Sequence, residues 1–498
     1  MSINPHPQCA GTRRQFLWQM GAGFTGLALT ALLDGDGFFA NPALAGSFPI
    51  TNPLAPREPH FRRKAKACIF LFMFGGPSQI DLFDYKPELQ KRDGQSIDNE
   101  FRRNTKTKAV LQASRRQFTQ YGQAGQWCSD AFPYIAQHMD KLAVIKSLYS
   151  DSFAHGSAVL QMNTGRIIQG HPSVGAWMGY GLGSLNSNLP AHVVMLDPRG
   201  GPTTGAPNWS SGYMPAAYQG TVLRTSGDPI LNLQPPAGIS REMQRGQIDL
   251  INTLNAEHLR ERPGFSELQA RVASYELAFR LQATAPDALD LSQETPATRA
   301  MYGLDDKKGD HPLTVGCAPF GRQCLIARRL VERGVRFVQI YSGGGGAGGQ
   351  NTWDGHHGIE ENLRIHAPEV DKPIAALLAD LAQRGLLEET LVVWGGEFGR
   401  QPVSETFNTG GKTGGRDHNP KGFTYWLAGG GVKPGVSYGE TDELGQEAVV
   451  NRAHLRDLHA TILHLMGLDH LKLTYFYGGL NNRLTSVMEA NVIEGILA

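Results

Sequence analysis

Cysteine is scarce in this chain: five residues among 498, with Cys9 inside a segment read below as a leader. Cys68, Cys128, Cys317 and Cys324 do not make a disulfide framework, and nothing in their spacing resembles a thiolate zinc site. Cys317 and Cys324 are seven apart and share a helical face, which leaves one bridge open. Cys68 opens an apolar run and reads as a small core residue. An excess of one charge is lacking too. Basic residues number 47 and acidic ones 46, with no dense basic stripe, so nucleic acid is not expected as a partner. After Leu33 no apolar run reaches the ~20 residues of a membrane-spanning helix. What remains is a globular composition, 41% hydrophobic, with enough apolar residues for a core. Glycine is in surplus: 60 of 498 residues, about 12% against a usual ~7%. It collects at Gly343 to Gly349 and Gly429 to Gly431, which argues for long irregular connections rather than a fibre.

The N-terminus reads as an address. Thr12-Arg13-Arg14-Gln15-Phe16-Leu17 resembles a twin-arginine export signal, and a short apolar stretch, Met20 to Leu33, follows it. Ala43-Leu44-Ala45 is a small-x-small cleavage site that predicts Gly46 as the mature start. An uncleaved anchor and a retained amphipathic helix are the alternatives. Residues 1–45 are thus expected to be a leader that engages the twin-arginine translocase, and the protein to be periplasmic or secreted. Residues 46–498 are expected to form one α/β domain with a loop-rich and helical insertion at about 198–300.

Cys68 to Phe74 is continuously apolar and ends in Gly75-Gly76-Pro77-Ser78, the pattern of a strand buried on both faces. Further strands are expected at Leu142 to Leu148, Ala191 to Leu196, Val335 to Tyr341, Leu391 to Trp394 and Phe423 to Ala428. Helices are expected at His155 to Thr164 before Gly165, Pro319 to Arg333 before Gly334, Glu360 to Arg384 and His454 to Met466. A helical pair broken at Pro263 fills Arg241 to Ala283. This alternation favours a mainly parallel sheet covered on both faces.

Three glycine-rich segments carry the side chains that hold cations: Trp353-Asp354-Gly355-His356-His357-Gly358, Gly396-Glu397-Phe398-Gly399-Arg400, and Gly415-Arg416-Asp417-His418. In an open α/β sheet, ligands gather at the carboxyl ends of strands, so these loops are expected to converge. Asp354 with His356 and His357 offers oxygen and nitrogen donors that zinc, manganese and iron accept. Spacing does not decide which imidazole ligates. Asp81, shortly after the first strand, is either a cation ligand or a turn residue. Arg400 either grips an anion through its planar fork or pairs with Glu397. His418 is the better ligand of its pair, with Asp417 a ligand or a group that orients it.

The run Phe72 to Asp81, with Trp353-Asp354-x-His356, Gly396-Glu397-Phe398-Gly399-Arg400 and Gly415-Arg416-Asp417-His418, resembles the exported DUF1501 family, grouped with sulfatase and alkaline-phosphatase-like hydrolases. Asp457 to Leu468 is similar to the Asp-x-x-x-Thr-x-Leu-x-x-x-Gly helix near the end of sulfatase catalytic domains. The resemblance implies a three-layer α/β/α sandwich, one or two divalent ions (zinc, manganese, calcium or magnesium) and an anionic small-molecule or glycan ester as substrate. It also implies a nucleophile at a helix start, where matching the Thr164-Gly165-Arg166 end puts His155 in place of the usual Ser or Cys. Ser157 is a shifted candidate. Glu397-Phe398 replaces an Asp-His pair. The expected ligand set is Asp81, Asp354, His356 and His357, Glu397, Asp417 and His418, with His155, Ser157 and Arg400 as catalytic candidates. A non-catalytic protein that binds an anionic glycan or a protein partner is the alternative. N-terminal sequencing of the exported protein is expected to begin at Gly46; a start at Met1 would contradict cleavage.

Overall fold

Seven consecutive buried residues, Ala67–Met73, form the strand around which everything else packs. In a computed structural model, residues 52–99, 107–224, 238–261, 266–345, 350–405 and 414–498 are described. They fall within one compact unit, Asn52–Ala498. The leader expected at 1–45 lies outside the described residues. The principal sheet contains β1 (Ala67–Met73), β2 (Leu142–Tyr149), β3 (His192–Met195), β4 (Thr221–Leu223), β5 (Phe337–Ser342), β6 (Thr390–Gly395), β7 (Phe423–Ala428), β8 (Val436–Tyr438) and β9 (Ala453–His454). Its order is β8-β2-β7-β6-β1-β5-β3-β4, and β9 pairs with β2. Every pairing is parallel except those of β7, which runs antiparallel to β6 and β2.

The period-2 alternation of a strand sends successive side chains to opposite faces. Ile69, Leu71 and Met73 enter one core with α6 (Ala318–Glu332) and α7 (Ile359–Gln383). Cys68, Phe70 and Phe72 enter the other with α2 (His155–Thr164), α3 (Val174–Leu182) and α8 (Leu455–Leu465). The fold is therefore a mixed α/β sandwich of three layers, α/β/α, with a large, mainly parallel central sheet. Each fully buried Leu or Phe of β1 contributes ~1.5–3 kcal/mol, and no polar position interrupts either face.

The helical pair is α4 (Arg241–Glu261) and α5 (Ser266–Leu289), and α5 lays Leu281 and Ala288 on the first core. The four-residue α1 (Gln79–Leu82) follows β1. Most element ends differ from the sequence reading by a residue or two, but α5 runs to Leu289, six residues past the expected Ala283. The edge strand β4 falls in a stretch read as turn-rich, because three residues are too short to show a period. The bridge left open between Cys317 and Cys324 is not formed, and all four described cysteines are free. Cys324 is buried in the core, whereas the Cys317 thiol turns toward the Gly303 carbonyl (3.5 Å) and Asp306 (3.6 Å).

One buried ion network ties α7 to the turn after β3. Glu369 accepts from Arg199 Nη2 (2.7 Å), the Val315 N–H (2.8 Å) and the Thr314 hydroxyl (2.9 Å), with His366 Nδ1 at 3.2 Å. Arg199 also binds Asp197 through Nε (2.8 Å). Burial works against the Glu369 carboxylate, but His366 and Arg199 outweigh it and bring its pKa down to about 2. The folded value lies below the unfolded ~4.5, so this stabilisation is complete above pH ~4.5 and drains as pH falls toward 2. The shift corresponds to about 3 kcal/mol. Urea unfolding across pH 2–6 is expected to show Glu369→Gln less stable than the parent above pH 5, with the gap closing toward pH 2. A constant gap would contradict this.

Candidate metal centre

Strands β1, β2, β5 and β6 all point their carboxyl ends to one edge of the sheet. β1 runs out into Gly75, whose φ is +121°. A Cβ there would lie 2.5 Å from the backbone nitrogens of Trp353 and Asp354, so only glycine lets that loop approach. β6 delivers Glu397 two residues past its end. β2 leads into α2, which starts at His155. A short ribbon pairs Gly399–Arg400 with His418–Asn419, setting Arg400 opposite His418. Gly415 permits a second close crossing, since a Cβ there would stand 1.7 Å from the His356 carbonyl oxygen. The three segments singled out in the sequence meet here.

Asp354 is the hub. Its Oδ1 lies 2.6 Å from Arg400 Nη2, 3.2 Å from His356 Nε2 and 3.3 Å from His418 Nε2, and its Oδ2 lies 3.2 Å from His155 Nε2. The Nε2 atoms of His356 and His418 face each other at 2.8 Å. One donor atom from each of His155, Asp354, His356 and His418 falls within 4.8 Å of the others. Glu397 joins through His155, whose Nδ1 is 2.6 Å from Oε1, and both Glu397 oxygens accept from the Gly75 N–H (3.0 and 3.1 Å). The Phe398 ring backs the cluster, 4.3 Å from the His418 ring and 4.9 Å from that of His155.

Tautomers follow from these bonds. His418 Nδ1 donates to the Phe153 carbonyl (2.7 Å), which leaves its Nε2 as a lone pair aimed at the centre. Burial, with Arg400 and His155 nearby, lowers the His418 pKa to about 4 and keeps it neutral. Burial alone would also discharge His155, but Asp354 and Glu397 reverse the effect and raise it to about 9. An imidazolium thus stands where the two carboxylates call for positive charge. Burial opposes the charge on Asp354 as well, yet Arg400 and His155 hold it far below the ordinary carboxylate range. The 3.2 Å approach of His155 Nε2 to Asp354 Oδ2 lacks hydrogen-bond alignment, and both atoms are buried without a hydrogen-bond partner, as is His356 Nδ1. Buried polar atoms are normally satisfied. The unpaired Asp354 oxygen, the His418 lone pair and the His356 imidazole fit a divalent cation, which would take the place of the His155 Nε2 proton beside Asp354. Tetrahedral bonds of ~2.0–2.1 Å would set two ligand nitrogens ~3.3 Å apart, so the imidazoles need open by only about half an ångström.

Other expected residues stand elsewhere. Asp81 lies outside the cluster, engaged by Arg416 through Nε (2.8 Å) and Nη2 (3.2 Å) and fully buried. His357 is exposed and Ser157 half-buried, and neither joins the grouped donors. Arg400 corrects the expectation of an anion grip and also its alternative, an ion pair with Glu397. It is fully buried, donating to Asp354 and to the carbonyls of Gly75, Gly76 and Arg416. Asp417 accepts from the His418 backbone N–H (2.8 Å), so the imidazole is oriented by Phe153 instead. Asp417 also groups with His356 and Glu405. Sequence reasoning missed Glu405, which sits in no recognisable pattern, and the Phe153 carbonyl, which as a backbone atom has no signature. A cavity of about 830 Å³ lies apart from the cluster, lined by Arg116, His311, Cys317, Glu361 and others.

Residues 65–497 match the family model described as "Protein of unknown function (DUF1501)". No curated protein matches the chain. Among solved structures, PsFucS1 sulfatase from Pseudoalteromonas sp. is similar at 12% identity and TM-score 0.34, covering 86% of this chain and 72% of that one. The alkaline phosphatase from the Antarctic bacterium TAB5 is 11% identical with TM-score 0.28, covering 77% and 96%. The lipoteichoic acid synthase LtaP from Listeria monocytogenes is 8% identical with TM-score 0.31, covering 84% and 77%. These scores mark a loose likeness of chain path, on which nothing about the chemistry of this chain rests.

Arg400→Ala is expected to cost about 3–5 kcal/mol in urea unfolding, because it leaves a buried carboxylate and several carbonyls without their donor. Unchanged stability would return Arg400 to the role of an anion grip.

Proposed function

This chain belongs to the DUF1501 family, and from the geometry of its cluster we propose that it is an exported, divalent-metal-dependent hydrolase of sulfate or phosphate esters. The observation that carries the reading is the pair of facing Nε2 atoms, 2.8 Å apart above the Asp354 carboxylate. Asp354, His356 and His418 would hold the ion, with His155 beside them. Such an ion, when bound, polarises an ester oxygen and lowers the pKa of a coordinated water.

The chain's own residues supply the rest. The Phe153 carbonyl fixes the His418 ring so that its lone pair faces inward. Glu397 takes the His155 Nδ1 proton in a hydrogen bond and fixes that ring in turn. The start of α2, with its unpaired backbone N–H groups and positive dipole end, favours an anionic group at the cluster. His155 is committed to the two carboxylates and Ser157 lies outside the grouped donors, so water is the attacking group in this reading. Small-molecule and glycan esters both suit such a site. Export to the periplasm or beyond is supported by the Arg13-Arg14 pattern and its apolar sequel.

One observation favours a second reading, binding of an anionic glycan or protein without turnover: the Arg400 guanidinium, the nearest candidate for gripping a leaving anion, is spent on the protein itself.

Elemental analysis and turnover of 4-nitrophenyl sulfate and phosphate separate the two. Hydrolysis should coincide with about one to two bound ions and fall at least a hundredfold on chelation and in His418→Ala. Bound metal without turnover on any ester selects the second reading, and absence of metal rejects the site altogether.

A further inference from the structure

The run Ser78-Gln79-Ile80-Asp81, just past the end of β1, supplies none of the grouped donors. Its polar side chains are nevertheless buried, with Ser78, Gln79 and Asp81 each at most 2% exposed. Buried amides and carboxylates need partners, and these two find theirs in the ribbon that carries Arg400 and His418. That ribbon is two residues long on each side, too short to hold its register alone. The Gln401 N–H donates across it to the Asp417 carbonyl (2.9 Å), which turns the N–H and carbonyl of Arg400 to the outer side. There the Gln79 amide meets both. Its Oε1 accepts from the Arg400 N–H (2.7 Å), and its Nε2 donates to the Arg400 carbonyl (2.8 Å). A primary amide suits this task, because acceptor and donors share one planar head. Gln79 thus stands where a third strand would, and Gly399 makes room for it, since a Cβ there would lie 2.3 Å from Oε1.

Two residues on, Asp81 grips the other side of the ribbon. It accepts from Arg416 Nε (2.8 Å) and Nη2 (3.2 Å), and from the Ser78 hydroxyl (2.5 Å). Arg416 stands two residues before His418, and its own N–H donates to the carbonyl of Gly355, the neighbour of Asp354 (3.1 Å). Gln401 Nε2 completes the hold by donating to the His418 carbonyl (3.1 Å). Every route from α1 therefore ends at the backbone that aims His418 or Asp354.

We propose that α1 is the positioning device of the metal centre. Gln79 and Asp81, neither of them a ligand, clamp the two sides of the ribbon and so fix His418 Nε2 against His356 and Asp354. The inference rests on the reading that these three residues hold an ion, but the clamp itself is measurable without one. Gln79 is the cleaner member to alter, because its removal leaves no buried charge unpaired.

Gln79→Met keeps the length of the side chain and removes both bonds to Arg400. Gln126→Met is its control: Gln126 is also buried, and its Nε2 donates to the Met139 and Leu142 carbonyls (both 3.1 Å) at the amino end of β2, the end away from the cluster. Both variants should lose stability in urea. Zinc affinity, measured by competition with a chromophoric chelator, should fall at least tenfold in Gln79→Met and stay within twofold of the parent in Gln126→Met. Equal affinity in parent and Gln79→Met overturns the proposal, as does an equal loss in both variants, which would mean general loosening. Hydrogen exchange of the metal-free proteins is the second measurement. Amides of residues 399–401 and 416–419 should exchange at least tenfold faster in Gln79→Met but not in Gln126→Met, and unchanged protection there overturns the clamp. Should the parent bind no zinc, the hydrolase reading falls and exchange alone decides the clamp. Should Gln79→Met fail to fold, the parent decides it: the Arg400 amide should exchange as slowly as those of β1, and fast exchange overturns the proposal.

Discussion

A single carboxylate, that of Asp354, sets the terms for the functional end of this fold. It is buried at the meeting point of four loops and remains charged. An isolated buried carboxylate is untenable, so the surrounding chain must bring positive charge and hydrogen-bond donors to it. Arg400 arrives from the ribbon after β6, His155 from the start of α2, His356 from two residues along the same loop, and His418 from the opposite ribbon strand. Gly75 and Gly415 exist in that role because any side chain would hold the segments apart. The parallel sheet is what makes the convergence cheap: four strands end at one edge, and each contributes a loop.

This constraint also explains a division of labour between two arginines. Arg400 and Arg416 both sit in glycine-rich loops and both look like grips for an anion. Each is fully buried and occupied by a carboxylate, Arg400 by Asp354 and Arg416 by Asp81. They act as internal counter-ions that let the loops close over the sheet edge. The positive character left for a ligand comes from the helix start and from whatever cation the imidazoles hold.

Much of the fold was legible in the sequence because it rests on local signals. The unbroken apolar run of β1 announces a strand covered on both sides, and Gly165 at positive φ closes α2 as its position after Thr164 suggests. Phe423–Ala428 is a strand at the expected residues. The convergence of the three loops was legible from strand polarity. What was not legible depends on partners distant in the chain. Asp81 finds Arg416 across 335 positions, which no spacing rule reveals. The inward turn of Arg400 depends on the carbonyls of Gly75 and Gly76 more than 300 residues earlier. Phe153 acts through a backbone oxygen, and β4 is too short for a period to register.

The account stands on the claim that His356, His418 and Asp354 surround one divalent cation. Anomalous diffraction from crystals of the purified protein, recorded on both sides of the absorption edge of the metal found by elemental analysis, tests it most directly. A peak ~2.0–2.2 Å from both facing Nε2 atoms and from an Asp354 oxygen is the expected result. A map with no peak there, and the two imidazoles still hydrogen-bonded to each other in protein saturated with the metal, would contradict it.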